Sequence, residues 1–288
     1  MLRRVAAVTM VRNGGEMLRR WVDYYGGQLG KDNIFVFFDG QDQVPPSFTE
    51  GCQAHVLPRT DGNVAEADRA RAALLSAVAS ELLGRYDFVI GTDIDEFIVP
   101  DPAKWISLPE YLSGIDTGGC VAFSPLGCDV VQNVECEAAL DSSRPVLAQR
   151  SFALLSTRYT KASILCAATA GNGSAKPQWG SGFHRVRGAN LHILKDLYLF
   201  HFGCANAPDV LARQSDADLG SRGWTRHLRK RGRLFKLVSR LPVRSWNTWV
   251  PRARRLQSFL RPPYAWNKPA MLGLRILVRI PERFSRIV

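Results

Sequence analysis

Short apolar runs alternate with amphipathic stretches through the first hundred residues. Arg4 to Val11 is β-branched and apolar and predicts a strand, broken by the turn Arg12-Asn13-Gly14-Gly15. Glu16 to Tyr25 predicts a helix with Met17, Trp21, Val22 and Tyr25 inward, ended by Gly26-Gly27. Ile34 to Phe38 predicts a second strand that stops at Asp39-Gly40, and Cys52 to Leu57 a third. Asn63 is placed to cap a helix over Val64 to Leu83, with Glu66 at the capping-box position and Gly84 as the stop. Its apolar stripe reads Ala70, Leu74, Ala77, Val78 and Leu82. The run Phe88 to Gly91 then predicts a fourth strand. Strands and helices in alternation point to an α/β fold, a mostly parallel Rossmann-related sheet with helices on both faces. Ligands of such sheets bind beyond the carboxyl ends of the strands. Arg12-Asn13, Asp39 and the acidic stretch after Gly91 are therefore due at one edge.

That acidic stretch, in DFVIGTDIDEFIVP from Asp87 to Pro100, is where chemistry concentrates. Alternation in a strand would send Asp93 and Asp95 to one side, about 6 to 7 Å apart, with Glu96 pointing the other way. Two such carboxylates suit a hard divalent cation, Mn²⁺ or Mg²⁺, that keeps open positions for phosphate oxygens. An acidic, solvated turn would read the same from this motif alone. Three charges framed by apolar runs are costly unless they bind something.

Beyond Gly118 the pattern changes to extended runs, Cys120 to Ser124 and Val146 to Leu155, around a polar insert. A Gly-rich loop over 170–182, the segment GFHRVRG with His184, and a strand over Leu197 to Phe202 containing His201 come next. After Asp218 the chain is Arg-rich with scattered Trp and Pro, and no helical period holds for long. The expected division is a catalytic domain over 1–221, made of a nucleotide-binding half (1–100) and an acceptor-side half (101–221), plus a basic C-terminal extension over 222–288.

Charge sharpens that division. Of a net +12 in 288 residues, Arg222 to Val288 carries 18 Lys and Arg against 1 acid, whereas Met1 to Ser221 carries 20 against 25. An extension of +17 beside a body of −5 calls for an anionic partner. Aliphatic residues among the cations favour an anionic membrane surface over nucleic acid, for which no binding signature accompanies the charge. The 46% hydrophobic and 10% aromatic content excludes a disordered chain. Six cysteines without a CxxC pair read as free thiols of a reducing compartment. No convincing signal peptide or membrane span is present. The expectation is a cytoplasmic protein, peripheral on the inner face of the membrane.

VTMVRN at the start, FVFFDG at the second strand, FVIGTDIDEF at the fourth, and the later GFH and LYLFHFG segments together resemble glycosyltransferase family 2-like proteins. These are small DxD-containing bacterial transferases of the GT-A fold, related to the family 92 type. The resemblance spans about Met1 to Ala205. It implies sugar transfer from a nucleotide-sugar to a glycan, lipid-linked or other hydroxyl acceptor, with a divalent metal on the diphosphate. By the same resemblance Arg12 and Asn13 sit at the nucleotide pocket, Asp39 contacts base or ribose, Asp93 and Asp95 meet metal and diphosphate, and His201 completes the metal shell. This chain departs from the pattern where Gly14-Gly15 separates Asn13 from Glu16. Arg71 on the long helix is within expected reach of the nucleotide. Asp129, after the turn Pro125-Leu126-Gly127, is the candidate base for the attacking hydroxyl, and His184 a contact for acceptor or phosphate. Lys161 and Arg150 read more readily as surface. Two other classes stay open: a haloacid-dehalogenase-type phosphatase using the DxD, and a non-enzymatic membrane or nucleic-acid adaptor.

Overall fold

The structure is a computed structural model that describes residues 2–60, 62–167, 177–187, 191–215, 225–261 and 267–288. Residues 170–176 of the expected Gly-rich loop lie outside the described residues, as does the expected domain boundary at 221/222.

The first four strands run parallel as predicted: β1 (Val5–Val11) pairs with β2 (Ile34–Asp39) and with β4 (Phe88–Gly91), and β2 pairs with β3 (Gln53–Leu57). Side chains alternate across a strand, and that alternation divides the core. Val5, Ala7, Ile34, Val36, Phe88 and Ile90 face one way. They pack on Leu18, Trp21, Val22 and Tyr25 of α1 (Gly15–Leu29). Ala6, Val8, Phe35, Phe37 and Val89 face the other way, onto Leu75, Ala79 and Leu82 of α2 (Val64–Leu82). The α/β architecture with helices on both faces is thus present.

Two helices differ in detail. Gly26-Gly27 does not stop α1, which runs to Leu29 and ends at Gly30, held at φ +86°. A side chain at Gly26 would press on Lys31, so the glycine permits close packing inside the helix. In α2 the capping box of Asn63 and Glu66 forms as expected, but the buried line is Ala72, Leu75, Ala79 and Leu82, while Ala70 and Ala77 are exposed. Alanines are too small to set the direction of an apolar face.

The remaining strands join a single mixed sheet. β5 (Glu96–Pro100) pairs antiparallel with β9 (Ile193–Cys204), and β9 runs parallel to β6 (Ala122–Val131). β8 (Ile164–Cys166) lies between β4 and β6, and β7 (Phe152–Leu155) pairs with β6. Short helices α3 (Leu108–Ser113) and α4 (Ala207–Gln214) flank these strands.

The basic segment enters the same body. It forms α5 (Thr225–Val238), β10 (Val243–Ser245), α6 (Trp246–Phe259) and β11 (Ile276–Arg279). β11 pairs antiparallel with β7 and also holds β10. Trp246, Ile276, Val278 and Phe284 sit in the main core. Helices form here although the sequence shows no sustained period. α6 even contains Pro251, a residue that removes a helical hydrogen bond. Burial of Trp246, Val250 and Ala253 along one face overrides that penalty.

Candidate active site

β4 ends at Gly91, and Thr92 anchors the start of the acidic stretch. It accepts a hydrogen bond from Trp21 Nε1 (2.9 Å) on its hydroxyl and one from Thr9 Oγ1 (2.8 Å) on its carbonyl. The acidic residues after it are not strand. Glu96 N–H donates to Asp93 O at 3.0 Å, closing a turn, and β5 begins only at Glu96. Alternation therefore does not hold across the turn. Asp93 and Asp95 have different partners, and Glu96 points into the site, contrary to expectation.

Strand register supplies the rest. His201 on β9 is opposite Glu96 of β5 and level with Asp129 of β6. Residues paired across strands share a face, so the three meet. His201 Nδ1–H donates to Asp129 Oδ1 at 2.7 Å, its Nε2 is 3.4 Å from Asp95 Oδ2, and the Tyr159 ring stacks on it with centroids 3.7 Å apart. Gly203 makes room, because a Cβ there would stand 2.6 Å from the His201 ring.

Cations complete the cluster. Arg71 of α2 pairs with Asp93 Oδ1. Lys161, which is 3% exposed, lies 3.1 Å from Asp93 Oδ2 and 2.6 Å from Glu96 Oε1. Burial disfavours the charged form of Asp93, but Arg71 and Lys161 outweigh it and hold the carboxyl far below its usual range. For Asp95 burial is likewise outweighed, here by His201 and then Arg231. Glu96 behaves differently, since burial lifts it to about 7 against the pull of Lys161. Burial lowers His201, yet Asp95 and Asp129 carry it up to about 9.

These groups line a cavity of about 470 Å³ at the carboxyl edge of β1, β2 and β4, together with Arg12, Asp39, Arg158, Tyr159, His184 and Arg231. Of the expected site residues, Arg12, Asp39, Arg71, Asp93, Asp95, His184 and His201 gather there. Asn13 does not line it; its side-chain carbonyl accepts from Gln43 Nε2 at 3.0 Å. Arg12 spends part of its donor set on Asp42 and the Asp39 carbonyl, and Asp39 accepts from Thr60. Asp129 stands behind His201 rather than in the cavity, where it orients the imidazole. His184 is neutral: burial and the Lys161 charge pull its pKa down to about 3.

Lys161, Tyr159 and Arg231 are the residues sequence reasoning undervalued or missed. Lys161 follows Tyr159-Thr160 and precedes the buried Ala162 to Cys166 run, and a lone lysine entering an apolar run was the available signal. Arg150 is buried too, but donates to the Ala205 carbonyl at 2.5 Å.

The residues fit a divalent ion. Asp95, Glu96 and His201 each offer one ligand atom, all within 4.8 Å of one another. His201 has its Nδ1 committed to Asp129, the outer carboxylate that typically fixes a ligating histidine. Asp93, engaged by two cations, is not part of that group.

No family model matches this chain, and no curated protein matches it. Among solved structures it is similar to mannose-1-phosphate geranyltransferase from Thermus thermophilus, at 11% identity over 96% of this chain and 73% of that one. The TM-score is 0.30, a likeness too slight to argue from. Among the described residues no helix is long and apolar enough to cross a membrane.

Proposed function

We propose that this chain is a metal-assisted glycosyltransferase that moves a sugar from a nucleotide-sugar to a glycan, lipid-linked or other hydroxyl acceptor. The observation that carries the reading is the meeting of the 93–96 carboxylates and His201 with Arg71 and Lys161 in one cavity at the carboxyl edge of the parallel strands. In the reaction the anomeric carbon leaves a phosphate oxygen, which keeps the bonding electron pair, and bonds to the acceptor oxygen, whose proton passes to the departing diphosphate or to solvent. A divalent ion held by Asp95, Glu96 and His201 would offset the charge on the departing diphosphate as a Lewis acid.

The chain's own groups divide the remaining work. Arg71 and Lys161 present fixed positive charge to the diphosphate without reorganising at the moment of transfer. Arg12 and Asp39, at the end of the cavity formed by β1 and β2, bind the nucleoside. Asp129 holds the His201 tautomer. His184, neutral and with a low pKa, accepts a hydrogen bond from the acceptor hydroxyl and orients it; so weak a base takes a full proton poorly. The exposed arginines of the basic segment bring the enzyme to an anionic membrane surface on the cytoplasmic side. A phosphatase built on Asp93 is less well supported, since Arg71 and Lys161 occupy both oxygens of the would-be nucleophile.

The test is thermal unfolding with UDP-, GDP-, CMP- and dTDP-sugars, with and without Mn²⁺. One nucleotide class is expected to raise the midpoint, more so with Mn²⁺, and Asp95→Asn is expected to lose the Mn²⁺-dependent part. No stabilisation by any nucleotide-sugar, with or without the ion, would rule the reading out.

A further inference from the structure

Beside the donor cavity lies a second one of about 560 Å³, and the two share Arg158, Tyr159 and Arg231 along a common wall. Part of its lining is apolar and buried: Leu154 and Leu155 at the end of β7, and Met271. Arg233 of α5 and Arg275 before β11 line it as well, and both are exposed. With Arg158 and Arg231 that makes four guanidinium groups. The acid in the lining is Asp129, which His201 already engages. Among the described residues no carboxylate pairs with Arg158, Arg233 or Arg275. Guanidinium forks gathered around a cavity whose one acid is already engaged by His201 match phosphate oxygens.

The neighbouring turn adds an apolar exit. Leu272 and Leu274 are 80% and 56% exposed. Leu272 is held at φ +49°, a conformation leucine rarely adopts, and Gly273 follows at φ +77°. Two exposed leucines next to unpaired arginines fit an aliphatic chain attached to an anion.

We propose that this second cavity is the acceptor subsite, and that the acceptor is an amphiphile whose phosphate or diphosphate is joined to an aliphatic chain. The anion sits among the four arginines, and the chain leaves over Leu272 and Leu274. Calling the ligand an acceptor rests on the transferase reading above; its binding does not.

Calorimetric titration of decyl phosphate, below its micelle concentration, and of inorganic phosphate into the wild type and Arg233→Gln/Arg275→Gln tests it. Both side chains are exposed, and matching unfolding midpoints verify the variant's fold. Decyl phosphate is expected to bind the wild type at least tenfold more tightly than inorganic phosphate, and the double variant at least tenfold more weakly. Undiminished binding by the double variant would place the probe in the donor cavity and overturn the proposal. Equal affinities for decyl and inorganic phosphate would overturn the aliphatic half of it. Decyl phosphate binding as expected, in a protein that no nucleotide-sugar stabilises, would overturn the acceptor role while leaving the amphiphile site.

Discussion

Lys161 is the residue on which the charge balance of the site turns. Its ammonium is buried between Asp93 and Glu96, and truncating it leaves two neighbouring carboxylates without that cation. Removing one partner of a buried ion pair costs about 3 kcal/mol or more. Lys161→Met is therefore expected to lower the unfolding free energy in urea by about that amount, and a neutral result would mean the carboxylates have another counter-charge. His184 makes a separate prediction. Its pKa falls from 6.5 to about 3 on folding, so the folded state resists a proton that the unfolded chain accepts. Its contribution is intact above pH 6.5 and is lost as pH falls toward 3. The gap between urea midpoints at about pH 7 and pH 4 should shrink in His184→Gln; an unchanged gap would assign the acid limb to other groups.

At the level of elements, the turn over 156–160 positions Arg158 and Tyr159 only because β6 lets it approach. A Cβ on Gly127 would come within 3.0 Å of backbone atoms of Ser156 and Thr160. Gly127 N–H donates to Thr160 Oγ1 (2.9 Å), and that hydroxyl donates to Gln257 of α6 at 2.6 Å. Gly127→Ala should therefore cost about 2 kcal/mol by overpacking and lower the thermal midpoint; an unaltered midpoint would show that the turn can move away. The parallel strands and α2 were legible because each carries its own period or cap, as Ile34 to Phe38 and Asn63 with Glu66 do. The carboxylate cluster was legible as composition but not as geometry. Alternation places Glu96 opposite Asp95 only if the strand runs through 93–96, and the turn there removes that premise. Nothing local to His201 announces Glu96 and Asp129 as its neighbours, because both come from strand pairings between distant parts of the chain.

For the molecule as a whole, the basic segment contributes structure as well as charge. Arg283 makes a two-pronged pair with Asp101, at 2.7 and 2.9 Å, in the loop after β5, while Trp246 stacks on Phe200 of β9 and meets Tyr198 edge-on, and Phe284 meets Phe200 edge-on. A fragment of residues 1–224 would expose β7 and this aromatic cluster, so it is expected to lack the near-ultraviolet dichroism and cooperative melting of the full chain. A fragment that melts cooperatively would restore the picture of a separable domain. The placement of β11 also bears on how the protein is made. Translation delivers β7 long before β11, so on the ribosome that strand has an open edge, the exposed backbone on which chains join and aggregate. His201, 72 positions after Asp129 and waiting on β9, likewise reaches its partners late. A nascent chain thus carries its acids well before the histidine that gathers them, and the cluster of Asp95, Glu96 and His201 is complete only once synthesis has passed β9.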